Sequence, residues 1–218
     1  MTSRGLRWIL LAAVAGAATS GVFSGLLHWS QAAFVGPWLV VAVLVLGWFW
    51  RASGIDVGAE LRRRLLVGLI VGVGVGMLLA FTVTRQPSSP APAGAALIGT
   101  ELWLGVVYGA VDAVMLTVIP VLSFYSSRAT TEIEETRGRA PRAVAAFAAS
   151  LFVTAAYHLG FREFQGPGLV QPLIGNGVMT LAYLASGSPI AAIVSHVIMH
   201  VAAVIHGAAT VTQLPPHY

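Results

Sequence analysis

The chain has 218 residues, 57% of them hydrophobic and only 9% charged, with a formal net charge of +4. A mean hydropathy of +0.83 excludes an ordinary soluble domain and leaves room for about seven spans of ~20 apolar residues and little else. The absence of cysteine excludes disulfides, thiolate ligands and iron–sulfur clusters. The expected fold is therefore all-α: one polytopic integral membrane domain over residues 1–218.

The first span runs from about Arg7 to Leu27. Arg4 and Arg7 before it resemble a signal peptide, but its apolar part is long, so an uncleaved helix is expected. Gly21 and Gly25, four apart, suit close helix packing. The second span, Ala33 to Trp50, carries Trp38, Trp48 and Trp50 toward its ends, as an aromatic belt does. After a short polar loop, the third span, Leu65 to Val83, presents Gly68, Gly72 and Gly76 as a ladder of small residues. Its GVGVG run has no preceding strand and is not a nucleotide loop. Residues 1–94 thus read as an N-terminal three-helix part.

The proline-rich loop from Arg85 to Gly94 leads into a fourth apolar stretch, Ala95 to Tyr125. It is too long for one straight span, and Pro120 is expected to kink or end it. Asp112 lies near its middle and Glu101 nearer the interface. Ser126 to Arg142 is a long charged loop. The fifth span, Ala143 to Phe161, carries His158. The sixth, Gly168 to Ala185, contains Gln171, Pro172 and Asn176 and is expected to be irregular and buried. The seventh, within Ser186 to Gly207, carries His196, His200 and His206. His206 and His28 read as interfacial, and His217 as part of a short tail.

The basic residues are all arginines and fall between the apolar runs, where they meet anionic lipid rather than nucleic acid. With seven spans, Arg4, Arg7, Arg51, Arg62, Arg63, Arg64, Arg128, Arg137, Arg139 and Arg142 share one side, and only Arg85 and Arg162 the other. The bias puts the N-terminus in the cytoplasm and the C-terminus outside, in a bacterial inner membrane.

Polar groups held in hydrocarbon are costly and face a bundle interior or a partner. His196 and His200 are four apart and share one helix face. By a rise of ~1.5 Å per residue, His200 lies ~18 Å into its span and His158 ~22 Å into its own, and Asp112 is near mid-span. One carboxylate and three imidazoles suit a borderline cation, zinc first, with iron or manganese as alternatives. If three of the four bind a metal, the fourth serves as base or orienter. In the plainer reading, Asp112 is a structural group held by Tyr108, Asn176 or one histidine.

The second half of the chain, about residues 95–210, resembles the CAAX-protease and bacteriocin-processing (CPBP) family of intramembrane proteases. That family carries EExxxR, then FxxxH, then HxxxN or HxxxD on neighbouring helices. YLASGSPIAAIVSHVIMH matches the last, with His196 at the histidine and His200 in place of asparagine. SLFVTAAYHLGF matches the second, with His158 at the histidine and Thr154 where phenylalanine is expected. For the first, Glu134, Glu135 and Arg139 fit literally but in a charged loop. Alternatively Asp112 takes the glutamate position, with Leu116 or Thr117 where arginine would stand.

The resemblance implies metal-dependent hydrolysis of a membrane protein or peptide, with Asp112 as base and His158, His196 and His200 as ligands or activators. An aspartate is one methylene shorter than glutamate, and a ~1 Å misplacement can cost ~10²-fold in rate. Rival expectations are a non-proteolytic metal or haem binder, an inactive homologue that binds a membrane partner, and a transporter with a proton-linked Asp112. The last calls for inverted repeats, which the sequence does not display.

Overall fold

Backbone placed in hydrocarbon has no water to bond, so long apolar runs close their hydrogen bonds internally as helices. The computed structural model describes residues 3–125 and 132–217, and among these there is no strand. Among the described residues, seven helices are long and apolar enough to cross a bilayer, and the chain is an integral membrane protein of the all-α class. We number them with one short surface helix included: α1 Gly5–Leu26, α2 Gln31–Ala52, α4 Leu65–Val83, α5 Ala95–Phe124 and α8 Pro189–Gly207. The surface helix is α3, Val57–Arg62. Helix α6 is Glu132–His158 and α7 is Val170–Ser186.

The centre of the bundle is α5 against α8. Of the central window of α5, 67% is buried, against 28% for α4, so α5 is enclosed by protein while α4 turns Leu66, Ile70, Val73 and Met77 outward. Such a surface is what lipid requires. Helix α8 packs on α4, α5 and α7, and α1 packs on α2 and α6. The N-terminal three-helix part is thereby interleaved with the rest.

Glycines set the close approaches of α4 and α5 to α8. The ladder on α4 meets α8 in register: a Cβ on Gly72 would stand 2.9 Å from the Ala191 carbonyl, and one on Gly76 would stand 2.8 Å from Ile198. Gly68 lies against Ser188. Both series ascend together, so α4 and α8 run parallel. On α5, Gly105 faces Val201 at 2.9 Å and Gly109 faces Val197 at 3.0 Å, so α5 runs antiparallel to α8. These directions are those an alternating seven-span chain requires. The pair Gly21 and Gly25 lies at the close approach of α1 to Gly160, where a Cβ on Gly160 would stand 2.5 Å from Gly21 N. A Cβ on Gly25 would stand 3.0 Å from the Gly160 carbonyl, while one on Gly21 would point into open space. Gly16 and Ser20 also lie at this approach, against Tyr157 and Gly160.

Three other expectations change. Pro120 does not end α5, because the helix widens to π geometry over Ala113–Val118 and continues to Tyr125. Proline has no N–H to give to the carbonyl four residues back, which is that of Leu116. That carbonyl accepts instead from the Ser150 hydroxyl on α6, at 2.7 Å. The charged loop is shorter than expected, since helix α6 already begins at Glu132. Ser126 to Thr131, and the side chains of Glu134, Glu135 and Arg139, lie outside the described residues. Finally, α7 is a regular helix rather than an irregular one. Asn176, Thr180 and Tyr183 share its buried face, and Val170, Ile174 and Leu181 point outward.

Candidate functional site

Asp112, His158, His196 and His200, from α5, α6 and α8, line one cavity of about 520 Å³. All four are buried. Its wall also includes Leu116, Met179 and Met199, and its rim includes Gln86, Gln171 and Thr212. The bundle thus brings together the four residues that the sequence singles out, from three helices and from positions 38 (His158 to His196) to 88 (Asp112 to His200) apart in the chain.

The Nδ1 atom of each histidine is bonded to a backbone carbonyl: His158 to Thr154 O at 2.8 Å, His196 to Ala192 O at 3.2 Å, and His200 to Leu104 O at 3.3 Å. A carbonyl only accepts, so each Nδ1 carries the proton and each Nε2 is left with its lone pair. The His200 bond depends on the shape of α5. Over Glu101–Val107 that helix is π-wound, and the Tyr108 N–H reaches back to Trp103 O, past Leu104. The Leu104 carbonyl is thereby available to His200. Wide turns of this kind are often found at functional sites.

Asp112 is held from a different side. Its Oδ1 accepts from Trp38 Nε1 on α2, at 2.7 Å. The Trp38 ring stacks on Tyr157, with centroids 4.7 Å apart and planes at 17°. The Tyr157 and Tyr108 hydroxyls are 2.8 Å apart, and Tyr108 donates to the Pro215 carbonyl at 2.8 Å. Tyr108 also meets the His200 ring edge-on at 5.0 Å. Trp38 is fully buried, whereas Trp48 and Trp50 are exposed, so the aromatic belt reading holds for the last two only. Nor do Tyr108 and Asn176 hold Asp112. Asn176 accepts from Thr117 and donates to Ser150 and Thr154, a closed network that steadies the helical turn ending in His158.

The decisive contact is Asp112 Oδ2 to His200 Nε2, at 3.7 Å. With the His200 proton on Nδ1, two acceptors face each other in a buried place. Lone pairs so opposed repel unless a proton, a water or a cation lies between them. Two ligands at ~2.0–2.2 Å from a tetrahedral zinc stand ~3.4 Å apart, so this pair alone is compatible with an ion. Among the described residues, however, no three histidine or acidic side chains converge as a ligand set, and the His196 and His200 ring centroids are 6.4 Å apart. The donor chemistry suits zinc, but the spacing falls short of a complete site, and we assign no step to a metal.

Comparison with protein-family models, curated proteins and solved structures finds no match. The geometry therefore carries the functional argument. Outside the cavity, His206 donates from Nε2 to the Gln86 carbonyl at 2.8 Å, near the end of its helix. His217 pairs with Glu163 at 3.2 Å. Sequence reasoning missed Trp38, Tyr157 and Leu104. Only the first left a trace, as a tryptophan somewhat inside the expected headgroup level.

Proposed function

We propose that the chain is a membrane-embedded hydrolase of CPBP type that cleaves a peptide bond in a membrane protein or peptide. The observation that carries this reading is the opposed pair Asp112 Oδ2 and His200 Nε2, 3.7 Å apart inside a cavity. A water seated there donates a hydrogen to each acceptor and turns its own lone pair toward the cavity. As the water oxygen bonds to the peptide carbonyl carbon, Asp112 takes its proton as general base, and the protonated carboxyl then gives that proton to the leaving nitrogen as the C–N bond breaks, a role worth typically ~10²–10⁴-fold in rate. Trp38 occupies Oδ1 and so directs the basic lone pairs of Oδ2 at the water. His158 and His196 supply further Nε2 acceptors on the cavity wall. We place the protein in a bacterial plasma membrane with its N-terminus in the cytoplasm, a reading supported by the arginine bias.

The test is the set of new protein N-termini produced when purified protein is mixed with membrane vesicles. Cleavages present with the native chain and reduced at least ~10²-fold with Asp112→Asn are expected. Identical N-termini from both proteins would sink the reading.

A second reading, a non-proteolytic metal binder, has its own support. Metal-ligating histidines almost always donate the other ring N–H to a carboxylate, carbonyl or water, and all three do so here. Elemental analysis separates the two. About one divalent ion per chain, lost in His200→Ala and in His196→Ala, favours metal binding, and metal-free protein that still cleaves removes it.

A further inference from the structure

The residues after α8 do not trail away from the bundle. Segment 208–217 lies without helix across the rim of the cavity, and Thr212 and Gln213 form part of the wall. Side chains from four separate parts of the chain hold it, largely by its main chain. Gln31, the first residue of α2, donates to the carbonyls of Ala208, at 2.8 Å, and of Leu214. Tyr108 on α5 donates to the carbonyl of Pro215. Gln86, just beyond α4, accepts the Thr212 N–H at 3.0 Å and donates to the Gln213 side chain at 2.8 Å. Gln171 on α7 donates to the Thr212 hydroxyl at 2.6 Å. Val211 and Leu214 are fully buried and serve as apolar anchors.

The segment is a run of turns whose Ala208 and Leu214 carbonyls converge on one Gln31 amide, and main-chain groups held in this way are ones that any polypeptide can offer in competition. The segment is joined to the site through one residue: Tyr108 binds both the Pro215 carbonyl and Tyr157, and it packs on His200. We propose that residues 208–217 are a gate over part of the cavity mouth, held by Gln31, Gln86 and Gln171, and displaced when another polypeptide competes for those amides on its way to Asp112. That the incoming chain is a substrate rests on the hydrolase reading; that the strap closes the cavity does not.

The chain has no cysteine, so one can be placed at will. Met199→Cys puts a thiol in the cavity wall, and Ile174→Cys puts one on its exposed edge. Each is introduced into the full-length protein and treated with a small charged thiosulfonate reagent. Adding Gln31→Ala and Gln86→Ala, which removes most of the clips, should speed modification at position 199 at least ~10-fold and leave position 174 unchanged. A synthetic peptide with the sequence of residues 211–218 should slow it again, and a scrambled peptide should not. Conversely, Gln171→Cys with Thr212→Cys, oxidised to a disulfide, should slow modification at 199, and reduction should restore it. The locked protein keeps every clip but Gln171 and decides the matter should the untied variant fail to fold. Equal rates at 199 in the locked, native and untied chains, or a peptide without effect, would overturn the proposal. Because the readout is access rather than cleavage, a protein that gates its cavity but hydrolyses nothing would defeat the hydrolase reading alone.

Discussion

Trp38 donates to one oxygen of Asp112 and stacks on Tyr157, so a carboxylate on α5 is fixed by groups on α2 and α6. Removing a donor from a buried acceptor costs about 1–3 kcal/mol. Trp38→Phe keeps an aromatic ring and deletes the N–H, so it should lower stability by at least about that much. Trp48→Phe, at an exposed position of the same helix, should change stability by less than about 0.5 kcal/mol. Thermal unfolding in detergent compares the two, and equal losses would show that the bond to Asp112 contributes nothing. The difference between these tryptophans was not legible in the sequence. Position along a span tells how deep a residue lies, but both faces of α2 are apolar, and nothing in the pattern marks the face turned toward Asp112.

At the scale of elements, the contact of α4 with α8 rests on the absence of side chains at Gly68, Gly72 and Gly76. Without a hydrophobic drive between helices in lipid, close backbone approach and van der Waals contact supply the attraction. Gly72→Leu forces the Ala191 carbonyl away and should destabilise the bundle by about 1–3 kcal/mol or more. Gly74→Leu, on the same helix with open space at its Cβ, should have little effect. Equal behaviour of the two variants would mean that α4 and α8 do not pack as described. The spacing of this ladder is readable directly, since residues four apart share a helix face. The π-wound turns of α5 were not readable. They depend on partners far away in sequence, His200 for the Leu104 carbonyl and Ser150 for that of Leu116. Pro120 signals a break in the ladder but not how a neighbouring helix repairs it.

For the molecule as a whole, the strap of residues 208–217 joins elements from both halves of the chain, and Glu163 with His217 fastens its end. Burial works to raise the Glu163 carboxyl, but the hydrogen bond and charge of His217 outweigh it and hold the group below its ordinary range. A carboxyl depressed on folding binds its proton less readily in the native than in the unfolded chain. Its contribution to stability is therefore present above the ordinary carboxylate range and lost as pH falls through the depressed value. Glu163→Gln should be less stable than the native chain at neutral pH, and the gap should close in acid below that range. Melting temperature followed against pH reads both. A gap that persists in acid would assign the effect to packing rather than to the ion pair.

Composition and hydropathy alone determined that this is a helical membrane protein of seven spans, because a bilayer admits few solutions for so apolar a chain. Local spacing likewise placed the glycine ladder and put His196 and His200 on one face. The meeting of Asp112 with His200, the bond from Trp38 and the closure of the cavity by the chain's last residues were decided only in three dimensions. Trp38 and Asp112 are 74 positions apart and Gln31 and Leu214 are 183 apart, and helix periodicity carries information over a few turns at most. Which faces of separate helices meet is settled by the packing of the whole bundle.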